Sequence, residues 1–185
     1  MKILADIILK VVGWKVVSEF PDIPKSVIIF APHTSYWDGF YGKLFFMQLD
    51  IPYKFLSKKE FFKFPLNLFF RLYGSIPVSK TKEYVDEVVS YLEQSNQLHI
   101  VLSPEGHMAR TDHWKKGFYY MAKKANVPIV VGAMDYKKKE LEIKGVLYNV
   151  GNMDETFRAI GLLYDDVSAK YPEKFVLDKR YGQLN

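Results

Sequence analysis

A chain of 185 residues, 49% hydrophobic and 25% charged, suits one globular domain with a sizeable core. It contains no cysteine, which excludes disulfides, thiolate metal sites and covalent catalysis through a thiolate. The net charge of +5 and a pI near 9.1 suit an anionic partner (nucleic acid, an acidic lipid surface or a phosphorylated substrate) or simply a solvated lysine-rich surface.

No uninterrupted apolar run approaches the roughly 18–20 residues that span a bilayer. The opening stretch from Met1 to Phe20 is interrupted by Asp6, Lys10 and Lys15 and lacks a small-residue cleavage site, so it is a poor secretory signal. Within it, Ile3, Leu4, Ile7, Ile8, Val11 and Val12 recur at helical spacing, with Lys2, Asp6 and Lys10 on the other side. This predicts an amphipathic helix. Two readings stay open: a helix lying in a membrane interface, which Trp14 and the nearby lysines favour, and a first helix packed on the core.

Val27-Ile28-Ile29-Phe30-Ala31 is a short continuous apolar run, as expected of a strand buried on both faces. Pro32 ends it, and Thr34 or Ser35 can cap a helix running to about Gln48. A strand is expected at Tyr53–Leu56, then a helical stretch from Lys59 to Tyr73 that Pro65 breaks or starts. Further expectations are a strand at Ser75–Ser79, a helix at Lys82–Gln94, a strand at Leu98–Leu102 and a helix at Trp114–Ala125. A strand at Pro128–Val131, an exposed or edge strand at Glu140–Val146 and a last helix over roughly Asp154–Lys170 complete the chain. Alternation of strands and helices predicts an α/β domain with a mostly parallel central sheet flanked by helices, behind an amphipathic N-terminal helix. No repeat or linker divides residues 1–185.

In such sheets, reactive groups collect where strands end and helices begin. His33 and Asp38 stand at one such junction, within Ala31-Pro32-His33-Thr34-Ser35-Tyr36-Trp37-Asp38-Gly39. On one straight helix a five-residue step would splay them apart. With His33 in the entry loop and Asp38 in the first turn, the chain can bring them together. Imidazole can then accept a proton from an attacking hydroxyl, and a carboxylate on the other ring nitrogen fixes its tautomer. The plainer alternative is that Asp38, three residues after Ser35, completes a capping box.

The segment His33-Thr34-Ser35-Tyr36-Trp37-Asp38 resembles the His-x4-Asp motif of the glycerolipid acyltransferases, which include the 1-acylglycerol-3-phosphate acyltransferases. Gly74-Ser75-Ile76-Pro77-Val78-Ser79-Lys80 is similar to that family's second block, and Ser103-Pro104-Glu105-Gly106 to its Pro-Glu-Gly signature. Lys116-Gly117 and a helix, followed by Val127-Pro128-Ile129-Val130, resemble the closing block. The likeness covers about residues 26–135, with four blocks in order; residues 1–20 are a candidate membrane-interface helix ahead of that core.

The resemblance implies transfer of a fatty acyl group from acyl-CoA or acyl carrier protein to the hydroxyl of a lipid acceptor. His33 would activate the acceptor and Asp38 would orient it. Glu105 and Gly106 would help bind the acceptor, Lys80 would neutralise its anionic group and Pro128 would shape the site. It further implies a peripheral place at the cytoplasmic membrane face and no metal or organic cofactor. The chain also departs from the pattern. His107 and Met108 stand where the family usually has Thr-Arg, the nearest arginine is Arg110, and Lys80 replaces a common arginine. These departures weaken the case for a phosphate-bearing acceptor, and they motivate a second reading, a lipid-binding module on the same scaffold without catalysis.

Other constellations carry less. His107 and His113, near Glu105 and Asp112, lack the second closely spaced pair of a zinc site. Ser35 and Ser103 sit in no Gly-x-Ser-x-Gly elbow. His99, inside an apolar run, reads as a satisfied core or edge histidine. The segment holding Phe61, Phe62, Phe64, Phe69 and Phe70 among Lys58, Lys59, Lys63 and Arg71 suits core, an acyl-chain groove or an acidic bilayer interface. Lys137-Lys138-Lys139 suits a hairpin turn. No nucleic-acid motif accompanies the basic pI, and no nucleic-acid partner is expected.

Overall fold

The computed structural model describes residues 1–79 and 83–181. Strand β2 (Lys25–Ala31) is buried at every position after its first, and β6 (Ile129–Asp135) throughout. Neither shows the two-residue alternation of a half-exposed strand, because helices cover both faces of the sheet. The side chains nevertheless divide by face. Val27, Ile29 and Ala31 pack with Val88, Phe118, Phe157 and Ile160 of α4 (Tyr84–Gln94), α5 (Gly117–Ala125) and α6 (Met153–Tyr164). Ile28 and Phe30 pack with Ala5, Leu9, Phe45 and Phe46 of α1 (Lys2–Val11) and α2 (Tyr36–Leu49).

The sheet has seven strands. With β1 (Lys15–Val16), β3 (Tyr53–Lys58), β4 (Ser75–Val78), β5 (Leu98–Leu102) and β7 (Glu140–Leu147), the order is β1-β7-β6-β2-β5-β3-β4. Every neighbouring pair is parallel except β6 and β7, so the mostly parallel α/β layer expected from the pattern is the observed one. Between Lys59 and Tyr73 the chain forms a 3-10 turn (Lys59–Phe62) and then α3 (Leu66–Tyr73), divided next to Pro65.

Four details differ from the sequence reading. β1 was not anticipated, since two residues carry no periodicity; it pairs Lys15 with Glu140 and Val16 with Leu141, so β7 is an edge strand only along the remainder of its length. α5 begins at Gly117 because the segment before it is tied to distant residues: the Trp114 carbonyl, which a helix starting there would use, accepts from Arg180, and Trp114 N–H donates to Asp178. α6 ends at Tyr164, short of Lys170, because the following backbone bonds elsewhere: Tyr136 N–H donates to Ser168 O, and Tyr171 N–H donates to Thr34 Oγ1. In α1 the packed residues are Ala5 and Leu9 with Ile8 beside them, whereas Ile3 and Val11 of the expected apolar stripe are 76% and 81% exposed. Apart from Ile8, the stripe points largely away from the core. Among the described residues, no helix is long and apolar enough to cross a membrane.

His99 is the satisfied core histidine anticipated. It is buried on β5, 2.8 Å from Ser26 Oγ through Nδ1, with Phe20 edge-on at 4.6 Å. Burial holds its pKa down to about 4, against about 6.5 for an exposed imidazole. Below pH 6.5 the unfolded chain therefore takes up a proton that the folded chain refuses. Stability from this group is complete above pH 6.5 and declines as the pH falls towards 4. Urea midpoints recorded from pH 7.5 to 4.5 should fall less steeply for His99→Gln than for wild type; parallel slopes would exclude this source.

Candidate active site

The site follows from which way the helices leave the sheet. β2 and β5 are parallel neighbours, but α2 leaves β2 onto one face while α5, after β5, packs on the other. Their departure to opposite faces makes the carboxyl ends of the two strands a switch point, the place where a crevice forms and ligands bind in open α/β sheets. His33 borders it from the β2 side and Glu105 from the β5 side.

Asp38 sits in the first turn of α2 and is only 2% exposed. Its Oδ2 accepts from Thr34 N–H at 2.6 Å and Ser35 N–H at 2.7 Å, and its Oδ1 accepts from the Tyr136 hydroxyl at 2.6 Å. Ser35, the N-cap residue, accepts from Trp37 N–H, and the two residues complete a capping box. The same Oδ2 lies 3.5 Å from His33 Nδ1. Capping and pairing, weighed above as alternatives, are thus one geometry. At 3.5 Å the contact is longer than a good hydrogen bond. A proton on Nδ1 faces the carboxylate and leaves Nε2 a free acceptor. The imidazole is 32% exposed, so the pair is sealed at its carboxylate and open at its ring.

Glu105 grips the same loop from the opposite side. Beyond β5 the chain turns through Ser103-Pro104-Glu105-Gly106, with Gly106 N–H donating to Ser103 O and Gly106 at φ +74°. A Cβ on Gly106 would meet Lys115 Cγ at 2.8 Å, so glycine is needed for both space and conformation. Glu105 is 3% exposed; its Oε1 accepts from His33 N–H at 2.8 Å and its Oε2 from the Ser103 hydroxyl at 2.5 Å. Burial pushes its pKa up, while those two donors pull it the other way. Both carboxylate oxygens are occupied by protein groups.

The remaining candidates are scattered. Gly106 is at the exposed rim of the crevice. Arg110 is also exposed, donating to Glu173 O at 3.2 Å and lying 3.8 Å from Asp112. Pro128 stands at the opposite end of the sheet: it precedes β6, its carbonyl accepts from Val27 N–H, and four strand positions separate Val27 from Ala31. At about 3.3 Å per residue the structure places it more than roughly 13 Å from the His33 loop. Lys80 lies outside the described residues. His107 bonds the Ala109 carbonyl and His113 lies 3.9 Å from Asp178. Among the described residues no cluster of His, Asp and Glu could hold a metal ion.

Tyr136 was missed. It directly follows β6, and because β6 and β2 are parallel neighbours, the residue past the end of one lies beside the loop after the other. The sequence shows a tyrosine before three lysines; the Lys137-Lys138-Lys139 turn anticipated there does join β6 to β7, with Asp135 Oδ1 accepting from Lys137 and Lys138 N–H. Its phenol has a strongly raised pKa, from burial first and then from its bond to Asp38.

Fold and site together define an α/β enzyme domain with a histidine–carboxylate pair at the carboxyl edge of a parallel sheet. The chain belongs to the acyltransferase family, whose profile matches residues 15–134, more than half of its length. Its fold is also that of the 1-acyl-sn-glycerophosphate (LPA) acyltransferase PlsC from Thermotoga maritima. The TM-score is 0.62 at 16% identity, over 90% of this chain and 74% of that one. No curated protein sequence matches the chain.

Tyr136→Phe removes one hydrogen bond to a buried charged group, a loss of about 1.5–3 kcal/mol. Equilibrium urea denaturation should register a change of that size; an unchanged midpoint would show that the phenol does not hold Asp38.

Proposed function

We propose that this enzyme transfers a fatty acyl group from an acyl thioester, acyl-CoA or acyl carrier protein, to a hydroxyl of a glycerolipid or related lipid acceptor. The observation that carries the reading is the half-open imidazole of His33 beside a carboxylate fixed by two backbone N–H groups and a phenol. His33 Nε2 takes the acceptor's hydroxyl proton as its oxygen attacks the thioester carbonyl. The tetrahedral intermediate then collapses, the C–S bond breaks, and the leaving thiolate takes the proton back from the imidazolium. Asp38 keeps the proton on Nδ1 and stabilises the transient positive charge. No acyl-enzyme is required.

Glu105 acts in this scheme as a positioning residue. Its oxygens bond His33 N–H and Ser103, which favours a role in fixing the loop over the direct acceptor contact that the family motif implies. Gly106, at the rim, is the motif residue left for acceptor contact, whereas Arg110 is turned to the Glu173 carbonyl and Asp112.

A peripheral position on a membrane surface is part of the proposal. Ile3, Leu4, Ile7 and Val11 of α1 and Leu66, Leu68, Phe69 and Leu72 of α3 are exposed. α1 packs on α2, and α3 meets α2 through Lys43 and Tyr73, so all three lie on one side of the sheet. Lys63 ahead of α3 and Arg71 in its last turn add the charge that an anionic headgroup layer attracts.

His33→Ala and Asp38→Ala should each lower acyl transfer by about 10²–10⁴-fold while the circular dichroism spectrum stays unchanged. A radiolabelled acyl thioester offered with a panel of lipid acceptors measures this. Wild-type turnover by either variant would refute the mechanism, and no transfer by wild type to any acceptor would favour the binding-module reading.

A further inference from the structure

Past the last residue of the family match, the chain from Asp165 to Tyr181 runs back over the carboxyl edge of the sheet as a strap. Two backbone bonds fasten it next to the pair: Ser168 O accepts from Tyr136 N–H at 2.8 Å, and Tyr171 N–H donates to Thr34 Oγ1 at 3.4 Å. Lys170 lies between these two attachments. Its half-buried ammonium stands 5.2 Å from the ring centre of Trp37, in the first turn of α2, and 5.8 Å from that of Tyr136, whose hydroxyl bonds Asp38. The rings are themselves braced. Trp14 stacks on Tyr41 at 4.5 Å and meets Tyr136 edge-on at 5.0 Å, and Trp37 lies against Tyr41 and Phe40.

Ring faces steer a lysine head but do not neutralise it. Among the described residues, no carboxylate lies within ion-pair distance of Lys170, although Lys138 and Lys144 both pair with Asp166 on the same strap. Lys174, one turn further on, is likewise seated on a ring, 4.5 Å over Tyr171, with no acidic partner among the described residues. Two lysine cations thus stand along the strap near the imidazole, one of them fixed on both flanks by backbone bonds. Arg110, the nearest arginine to the Pro-Glu-Gly turn, is engaged by the Glu173 carbonyl and Asp112 instead.

We propose that Lys170, supported by Lys174, binds a phosphate group of the substrate at the entrance to the His33–Asp38 pair. The inference rests on the acyl-transfer reading for the identity of the substrates, and it deepens that reading by assigning the anion site to the strap. Such a phosphate belongs either to the lipid acceptor or to the thioester donor. A cation held in place before the ligand arrives loses little freedom on binding, which makes it effective there.

Binding can be read without turnover. Calorimetric titration would use three soluble probes: 1-hexanoylglycerol 3-phosphate, uncharged 1-hexanoylglycerol and coenzyme A. Lys170→Met should weaken one of the two phosphate-bearing probes at least tenfold, leave the uncharged probe within twofold, and keep the circular dichroism spectrum. Lys170→Arg should recover most of the loss. Loss with the acceptor probe assigns the phosphate to the acceptor, and loss with coenzyme A assigns it to the donor. Should Lys170→Met fail to fold, the wild-type titrations decide: raising the salt concentration from 50 to 500 mM should weaken the phosphate-bearing probe selectively. Unchanged affinity for both phosphate probes in Lys170→Met, or salt-independent binding, would overturn the assignment. An enzyme that turns over normally yet gives that flat result would lose the anion site alone and keep the proposed chemistry.

Discussion

The site depends on one buried carboxylate. Taking an aspartate out of water is costly unless its oxygens find donors, and Asp38 finds three: two backbone N–H groups at the start of α2 and the Tyr136 hydroxyl. These N–H groups, of the N-cap residue Ser35 and of Thr34 just before it, would otherwise be buried without a partner, and the positive end of the helix dipole adds to the stabilisation. A residue that caps the helix is thereby also fixed in space without reliance on a flexible side chain. His33 lies 3.5 Å from an oxygen that already accepts two backbone N–H groups, so the carboxylate acts on the ring chiefly through its charge, and the placement of the ring is a by-product of a well-made helix terminus.

Glu105 completes the arrangement from a strand that is adjacent in space but 72 residues away in sequence. Asp38 grips the loop from the helix side and Glu105 from the neighbouring strand, each through backbone N–H groups. The loop between β2 and α2 is thus held by two acids from opposite walls of the crevice, and only the imidazole projects outward. Removing either acid leaves buried donors unsatisfied, so local stability and the geometry of the pair are coupled.

What the sequence showed followed from range. The run Val27–Ala31, the Pro32 stop and the Ser35 cap are local features, and they placed His33 in a loop and Asp38 in a first turn as observed. The four ordered motif blocks agree with the family to which the chain belongs. What escaped was set by spatial neighbours. Nothing in the order of residues says that β6 lies beside β2, and so nothing marks Tyr136 as a partner of Asp38. The end of α6 was misplaced for the same reason, since the backbone beyond Tyr164 is drawn out of the helix by Tyr136 and Thr34. Pro128 shows the reverse case: a residue placed in the site by motif alone that the parallel register carries to the other end of the sheet.

The outward face of α1 bears on how the parts work together. Helix periodicity shows that one face is apolar; it does not say what covers that face. Here the small side chain of Ala5 and the adjacent Leu9 make the contact with the core, and the broader stripe of Ile3, Leu4, Ile7 and Val11 is left outside. Exposed Tyr36, Trp37 and Phe40 extend apolar surface along the first turns of α2, next to His33. Large exposed side chains therefore continue from α1 towards the open side of the imidazole, and the lysines of the strap stand beside them, Lys170 over the Trp37 ring itself. A site bordered in this way by large apolar side chains and by cations is open and amphipathic, unlike the closed, polar pocket that suits a water-soluble metabolite, and that surface chemistry agrees with the lipid acceptor proposed for this enzyme.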